Sequence, residues 1–232
     1  MSSAGSISVV IPVRDGERYL GEAIESVLGG TVPAAEVIVV DDGSTDSTAA
    51  TAERIGDPVR VLRRPAAGIA AATNAGLAEA SGDLVAFIDA DDVWTPDKLE
   101  LQLGALEDDP SLDAVFGLAR EFYSPDLPAS ERERIVLRPG DHAARVRGTA
   151  LLRSEMLDRT GPFDETLAVG EFVDWHDRAA GLGMRSIVLD RLVLHRRLHA
   201  SNHGRTAAHA RGDYVRVARA ALLRRRAAEA EA

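Results

Sequence analysis

Four apolar runs, each followed by a segment of helical spacing, occupy the first half of the chain and constrain its fold more than any other feature. Ser6–Ile11 and Glu36–Val40 are continuous and β-branched, as expected of strands buried on both faces of a parallel sheet. Val59–Leu62 and Leu84–Ile88 repeat the pattern. Between them Tyr19, Leu20, Ala23, Ile24, Val27 and Leu28 recur at helical spacing until Gly29-Gly30 stops them. A second helix is expected from Ser44, with Asp46 and Ser47 in its first turn, where acidic and small polar side chains suit the exposed amides. Gly68 to Ala80 is a small-residue helix, and Pro96 opens a helix carrying Leu99, Leu103 and Leu106. Such alternation predicts an α/β fold: a mixed, mostly parallel sheet flanked by helices. Ligands of these sheets bind beyond the carboxyl ends of the strands. The polar clusters Arg14-Asp15, Asp41-Asp42-Gly43-Ser44 and Asp89-Ala90-Asp91-Asp92 all fall there, and together they outline a pocket.

The second half is less regular. Strands are expected at Ala114–Leu118, Gly148–Arg153 and Ser186–Leu194, with a helix near Phe172–Leu182. Residues 124–140 hold three prolines and an ERER stretch, which predicts a mobile surface loop. Residues 206–228 form an Ala/Arg-rich helix. No linker separates these parts, so residues 1–118 and 119–204 are expected to form two halves of one continuous domain, followed by a helical tail over 205–232.

Bulk properties narrow the function classes. The chain has no cysteine, which excludes a disulfide framework and thiolate chemistry and makes the cytoplasm the expected compartment. A net charge of −10 argues against nucleic acid as a general partner, because that binding rests on basic residues. No apolar run is long enough for a transmembrane segment.

The chemistry is concentrated at the strand ends. Asp89 and Asp91, two residues apart after an apolar strand, offer the hard oxygen ligands that suit Mg²⁺ or Mn²⁺. Such an ion would bridge the protein to a diphosphate. The Asp41-Asp42-Gly43-Ser44 cluster makes a glycine turn before a helix, and one of its carboxylates could accept a hydrogen bond from a base N–H or a ribose hydroxyl.

The segments SVVIPVRDGERYLGEAIESVL, EVIVVDDGSTDST, GIAAATNAGLAEASGDLVAFIDADD and GPFDETLAVGEFVDW resemble glycosyltransferase family 2, in order and spacing, over roughly residues 6–200. The resemblance implies a GT-A, Rossmann-like fold whose nucleotide-sugar-binding half runs into an acceptor-binding half. It implies an inverting, metal-dependent enzyme that moves one sugar from a nucleoside-diphosphate sugar to a hydroxyl acceptor, be it glycan, lipid-linked or a small molecule. UDP is the default nucleotide. By position, Pro12, Val13, Arg14 and Asp15 would border the base and Asp42 would bind it. Gly68 and Asn74 would pass near ribose and diphosphate, Asp89 and Ala90 would reach the ribose, and Asp91 would hold the metal. Thr73 departs from the family, many of whose members carry arginine there.

Relatives often place the catalytic base in a Gly-Glu-Asp stretch, for which this chain has Gly170-Glu171-Phe172-Val173-Asp174-Trp175. With Phe172 at the second acid position, the base falls to Glu171 or Asp174. Glu171 is favoured because it directly follows the glycine. Trp175 is a candidate stacking platform for an acceptor sugar. The resemblance also gives His199 to the metal and Arg197 to the phosphate, leaving His195 structural. The arginine-rich terminal helix could pack on its own domain, on a second copy in a homodimer, or peripherally on an anionic membrane. Two other functions compete. Phe172 keeps open a catalytically degenerate nucleotide-sugar-binding scaffold. A nucleotidyltransferase is disfavoured, because IPVRDGERYL lacks a glycine-rich phosphate loop.

Overall fold

The computed structural model describes residues 5–202 and 211–231. The first half alternates as the sequence predicts. Strands β1 (Ile7–Val13), β2 (Glu36–Asp42), β3 (Val59–Arg64) and β4 (Leu84–Phe87) are separated by helices α1 (Leu20–Leu28), α2 (Thr48–Glu53) and α3 (Ile69–Glu79). After β4 come β5 (Val93–Trp94), α4 (Lys98–Asp108), β6 (Ala114–Tyr123), α5 (Ala129–Arg132), β7 (Asp141–Ala144), β8 (Leu151–Arg153), α6 (Ser154–Thr160), α7 (Glu171–Gly181), β9 (Ser186–Leu198) and α8 (Arg211–Glu231). The described strands form one sheet in the order β3-β2-β1-β4-β8-β6-β9-β5, with β7 paired to β6. Strands β1 to β4 pair in parallel, whereas β8 runs antiparallel to both β4 and β6.

Apolar side chains cover both faces of the sheet. On one, Leu20, Ile24 and Val27 of α1 and Leu99, Leu103 and Leu106 of α4 pack on Val9, Ile11 and Val39. On the other, Ala70 and Ala72 of α3, Met156 of α6 and Phe172 and Trp175 of α7 pack on Val10, Ile38 and Phe87. Helix α3 lies so close to the strands that a Cβ at Gly76 would stand 2.4 Å from a Val10 methyl. This closeness is what its small residues permit.

The structure departs from the sequence reading in several places. The strand expected over Gly148–Arg153 begins only at Leu151, because Arg147–Thr149 forms a 3₁₀ turn before it. Helix α2 begins at Thr48 rather than Ser44, because residues 44–47 spend their polar groups on the loop after β1. Strands β6 and β9 run on to Tyr123 and Leu198, well past the expected ends, because they pair with each other in parallel along their length. Residues 124–140 are not a free loop. Leu127, Ile135 and Leu198 form a small buried cluster, and the Tyr123 hydroxyl donates to the Ile135 carbonyl at 2.7 Å. The expected helix over 206–228 is described from residue 211, so its start lies outside the described residues. No helix among the described residues is long and apolar enough to cross a membrane.

Candidate active site

A cleft of about 750 Å³ opens over the carboxyl ends of β1 and β4. One wall is the loop after β1, from Pro12 to Tyr19; the floor is Asp89 to Asp92. Arg145 to Gly148, Val169 to Val173 and Tyr214 form the opposite wall, and Arg196, His199 and Asn202 close the back.

The first wall is stitched to the turn after β2. Asp15, at φ 51°, donates its N–H to Ser44 Oγ at 2.9 Å, and its carboxylate accepts the Thr45 N–H at 2.7 Å. Gly16 donates to Thr48 Oγ1, and Ser47 donates to Glu17. Pro12, Val13, Arg14 and Asp15 therefore border the cleft on a fixed loop. Asp42 does not line it. Its two carboxylate oxygens accept the Ala67 and Gly68 N–H groups at 2.9 and 2.8 Å, so the side chain expected to bind a base instead anchors the loop entering α3. Gly68 (φ 98°) makes the turn into that helix. Asn74 is likewise committed elsewhere. It donates to the Phe163 carbonyl and accepts the Phe163 N–H, tying α3 to the segment before α7.

On the floor, Asp89, Asp91 and Asp92 bring carboxylate oxygens within 4.8 Å of one another. His199 Nε2 lies 2.8 Å from Asp91 Oδ2, and Asn202 donates to the same oxygen at 3.0 Å. Adjacent ligands of an octahedral ion with bonds of ~2.1 Å stand about 3 Å apart, so this carboxylate–imidazole pair fits a divalent cation. Ser201 Oγ, 2.9 Å from Nδ1, orients the imidazole, as partners of metal-binding histidines do. Asp92 points inward. Burial, with Asp91 and Asp89 nearby, pushes its pKa well above the usual carboxylate range, and it accepts the Arg197 N–H at 2.9 Å.

Arg197 departs from its expected phosphate role. It is 3% exposed, lies between the Tyr19 and Phe122 rings, donates to the Asp91 carbonyl at 2.9 Å and pairs with Glu22 at 2.5 Å. It braces the acidic turn from behind. His195 is structural as expected, edge-on to Phe122.

Across the cleft, Gly170 in the left-handed region (φ 81°) turns the chain into α7, placing Glu171 at the first helical position on the cleft wall. A Cβ at Gly170 would meet the Tyr214 ring at 3.3 Å. The other candidate base faces away. Asp174 accepts from Arg178 at 2.9 Å and from Arg224 at 3.1 Å, and it is outside the cleft lining. Trp175 cannot stack on an acceptor: it is fully buried, against Phe163 and Phe172, and its indole N–H donates to the Gly161 carbonyl at 3.1 Å. Phe172, at the expected second acid position, belongs to the same aromatic core.

Several residues of the cleft were not singled out from the sequence, Asn202 and Tyr214 among them. Another, Arg147, is 7% exposed, pairs with Asp89 and donates to Glu171 Oε1 at 3.3 Å. Burial works against its charge, but Asp89 and Glu171 hold the guanidinium pKa above its usual value. The sequence signal was present: an arginine directly at the head of the apolar GTALL run, where charge enters a core only with partners. Helix α8, meanwhile, packs on its own chain, with Arg224 on Asp174 and Asp177.

Residues 8–162 match the family model described as Glycosyl transferase family 2. An uncharacterised glycosyltransferase of Rickettsia prowazekii is 31% identical over 220 residues, covering 90% of this chain and 69% of the relative. The chondroitin synthase of Pasteurella multocida is 34% identical over 123 residues, 52% of this chain and 13% of that much longer protein. Among solved structures, S. aureus TarS 1–349 in complex with UDP-GlcNAc superposes with a TM-score of 0.74 at 24% identity, over 94% of this chain and 66% of that one. The mannosyltransferase PcManGT of Pyrobaculum calidifontis, in complex with GDP-Man and Mn²⁺, gives 0.65 at 21% identity, over 89% and 60%. At these identities the two structures establish the GT-A-like fold alone.

Proposed function

This chain belongs to glycosyl transferase family 2, and from that premise we propose that its cleft transfers one sugar, with inversion, from a nucleoside-diphosphate donor to an acceptor hydroxyl. The coarser statement, that it is a glycosyltransferase enzyme using a nucleotide sugar, rests on the family. The finer one rests on a single observation: among the described residues of the wall opposite the acidic floor, Glu171 is the one carboxylate.

Donor binding belongs to the first wall and the floor. Pro12 to Asp15 border the base, Asp89 and Ala90 the ribose, with UDP the leading nucleotide; the TarS complex holds UDP-GlcNAc and PcManGT holds GDP-Man. Asp91 and His199 would hold Mn²⁺ or Mg²⁺, which when bound neutralises charge on the departing diphosphate. Glu171 takes the proton of the acceptor hydroxyl as its oxygen attacks the anomeric carbon. The bond from that carbon to the diphosphate oxygen breaks, and the nucleoside diphosphate leaves with the electron pair. Attack opposite the leaving group inverts the centre. Residues 1–118 supply the donor site in this reading, and 119–204 supply the base and the back of the cleft.

A screen of UDP-, GDP- and dTDP-sugars with Mn²⁺, followed by nucleotide release, tests the proposal. Glu171→Gln should lower kcat by about 10²–10⁴-fold while UDP binding persists. Full activity in that variant would remove Glu171 as the base. Binding without turnover in the wild type would point to a degenerate binding protein.

A further inference from the structure

We infer that Arg147 is a positioning residue for Glu171, mounted rigidly so that the base is aimed at the acceptor before substrate arrives. The inference rests on the transfer reading above. Its guanidinium donates through Nη1 to Glu171 Oε1 at 3.3 Å and to Thr73 Oγ1 at 3.1 Å, and through Nη2 to Asp89. Thr73 Oγ1 in turn donates to the Ile69 carbonyl at 2.7 Å, leaving its lone pairs for the arginine. One buried cation thus ties the acidic floor, helix α3 and the first residue of α7 together.

The backbone beneath Arg147 is held with equal care. Trp94 Nε1 donates to the Gly148 carbonyl at 3.2 Å, Gln102 Nε2 to that of Thr149 at 2.8 Å, and Lys98 Nζ to that of Ala150 at 3.3 Å. Three successive carbonyls are therefore pinned by side chains of β5 and α4, and Lys98, the only lysine in the chain, is fully buried to do it. A turn that served only to connect β7 to β8 would not need such bracing. The mount also leaves a cost in place: the buried Arg147 Nε has no hydrogen-bond partner among the described residues. A counter-charge selected for stability alone would be expected to satisfy that atom. Aim explains the arrangement better, since a planar fork presents its donors in fixed directions.

The inference separates base alignment from donor binding, so the test measures both. Wild type, Arg147→Gln, Arg147→Lys, Glu171→Gln and the Arg147→Gln/Glu171→Gln double variant are assayed for nucleotide release from the best UDP-sugar with Mn²⁺. UDP affinity and thermal stability are measured in parallel. Misplacing a catalytic group by ~1 Å costs about a hundredfold, so Arg147→Gln should lose about that in kcat, while UDP affinity, touched only through the released Asp89, falls by much less, about tenfold at most. The double variant should be no slower than Glu171→Gln alone, because an aimed base that is absent cannot be misaimed. Arg147→Lys, which keeps the charge but not the fork, should recover only part of kcat; it carries the test if the glutamine variant does not fold. A loss of UDP affinity equal to the loss of kcat, or additive losses in the double variant, would overturn the inference. An inert wild type would overturn the transfer reading and this inference with it, whereas an active wild type with a fully active Arg147→Gln would overturn this inference alone.

Discussion

The wall from Pro12 to Tyr19 and the wall from Arg147 to Glu171 face each other across one cleft, but they are assembled differently. The first is the loop directly after β1, fastened to residues 44–48 by short side chains such as Ser44 and Thr48. The second collects a turn before β8, the start of α7 and Tyr214 of α8, braced by Trp94 and Gln102 from elsewhere in the chain. The first wall is a property of strand ends in a parallel sheet. The second exists only where antiparallel strands, α7 and α8 meet, and the proton-transfer chemistry we propose belongs to it. A third region, at the opposite ends of β1, β2 and β4, carries stability instead: Glu36 gathers Ser8, Ser81 and Arg60 there.

Substitutions should separate these regions. The largest effect is expected on the floor between the walls. Asp91→Ala should lower Mn²⁺-dependent turnover by about a hundredfold or more and abolish the Mn²⁺-dependent part of UDP binding, measured by titration with and without the ion. Unchanged metal dependence would move the metal away from Asp91. Next, Trp175→Ala should destabilise the fold by ~3–5 kcal/mol in denaturant unfolding, by opening a cavity behind the second wall. An intact fold with a selective rise in acceptor KM would instead restore a stacking role.

Glu36→Gln probes the far end of the sheet. Partial burial raises the Glu36 pKa, but hydrogen bonds from Ser8, Ser81 and Arg60 outweigh it and lower the pKa from 4.5 to about 2. A lowered folded-state pKa means the carboxylate stabilises the protein at pH above the unfolded value, and this contribution is lost as pH falls from 4.5 to about 2. The variant should therefore be less stable by ~1.5–3 kcal/mol at pH 7, with the gap closing at the acid end of that window and nucleotide release unaffected apart from stability. The smallest effect is expected from Arg224→Ala. Its pairs with Asp174 and Asp177 are partly solvent-exposed, so stability should fall by less than ~1 kcal/mol. Faster hydrogen exchange confined to α8 and the start of α7 would show the helix loosening from the second wall.

The first wall and the floor were largely legible in the sequence because their signals are local. An apolar β-branched run ending on Asp89-Ala90-Asp91 states both the strand and the place of its carboxylates. Asp42, Arg197, Trp175 and Asp174 were legible as residues near the site but not in their roles. Each has several chemically reasonable partners, and neighbours distant in sequence decided which it took. Asp42 met the Ala67 and Gly68 amides, Arg197 the Asp91 carbonyl and Glu22, Trp175 the Phe163 ring and the Gly161 carbonyl, and Asp174 the Arg224 guanidinium.

The amino-acid sequence by itself determined the layered α/β fold and the carboxyl-end location of the cleft, while the family resemblance implied a metal shared by Asp91 and His199 and favoured Glu171 as the base. Periodicity and strand-end chemistry act over a few residues, so they survive without coordinates. Only the tertiary structure put Glu171 on the cleft wall and turned Asp174 to Arg178 and Arg224, buried Trp175, and brought Arg147 to Glu171 across 24 positions. A guanidinium has no preferred partner until folding removes water and leaves it a few oxygens within reach.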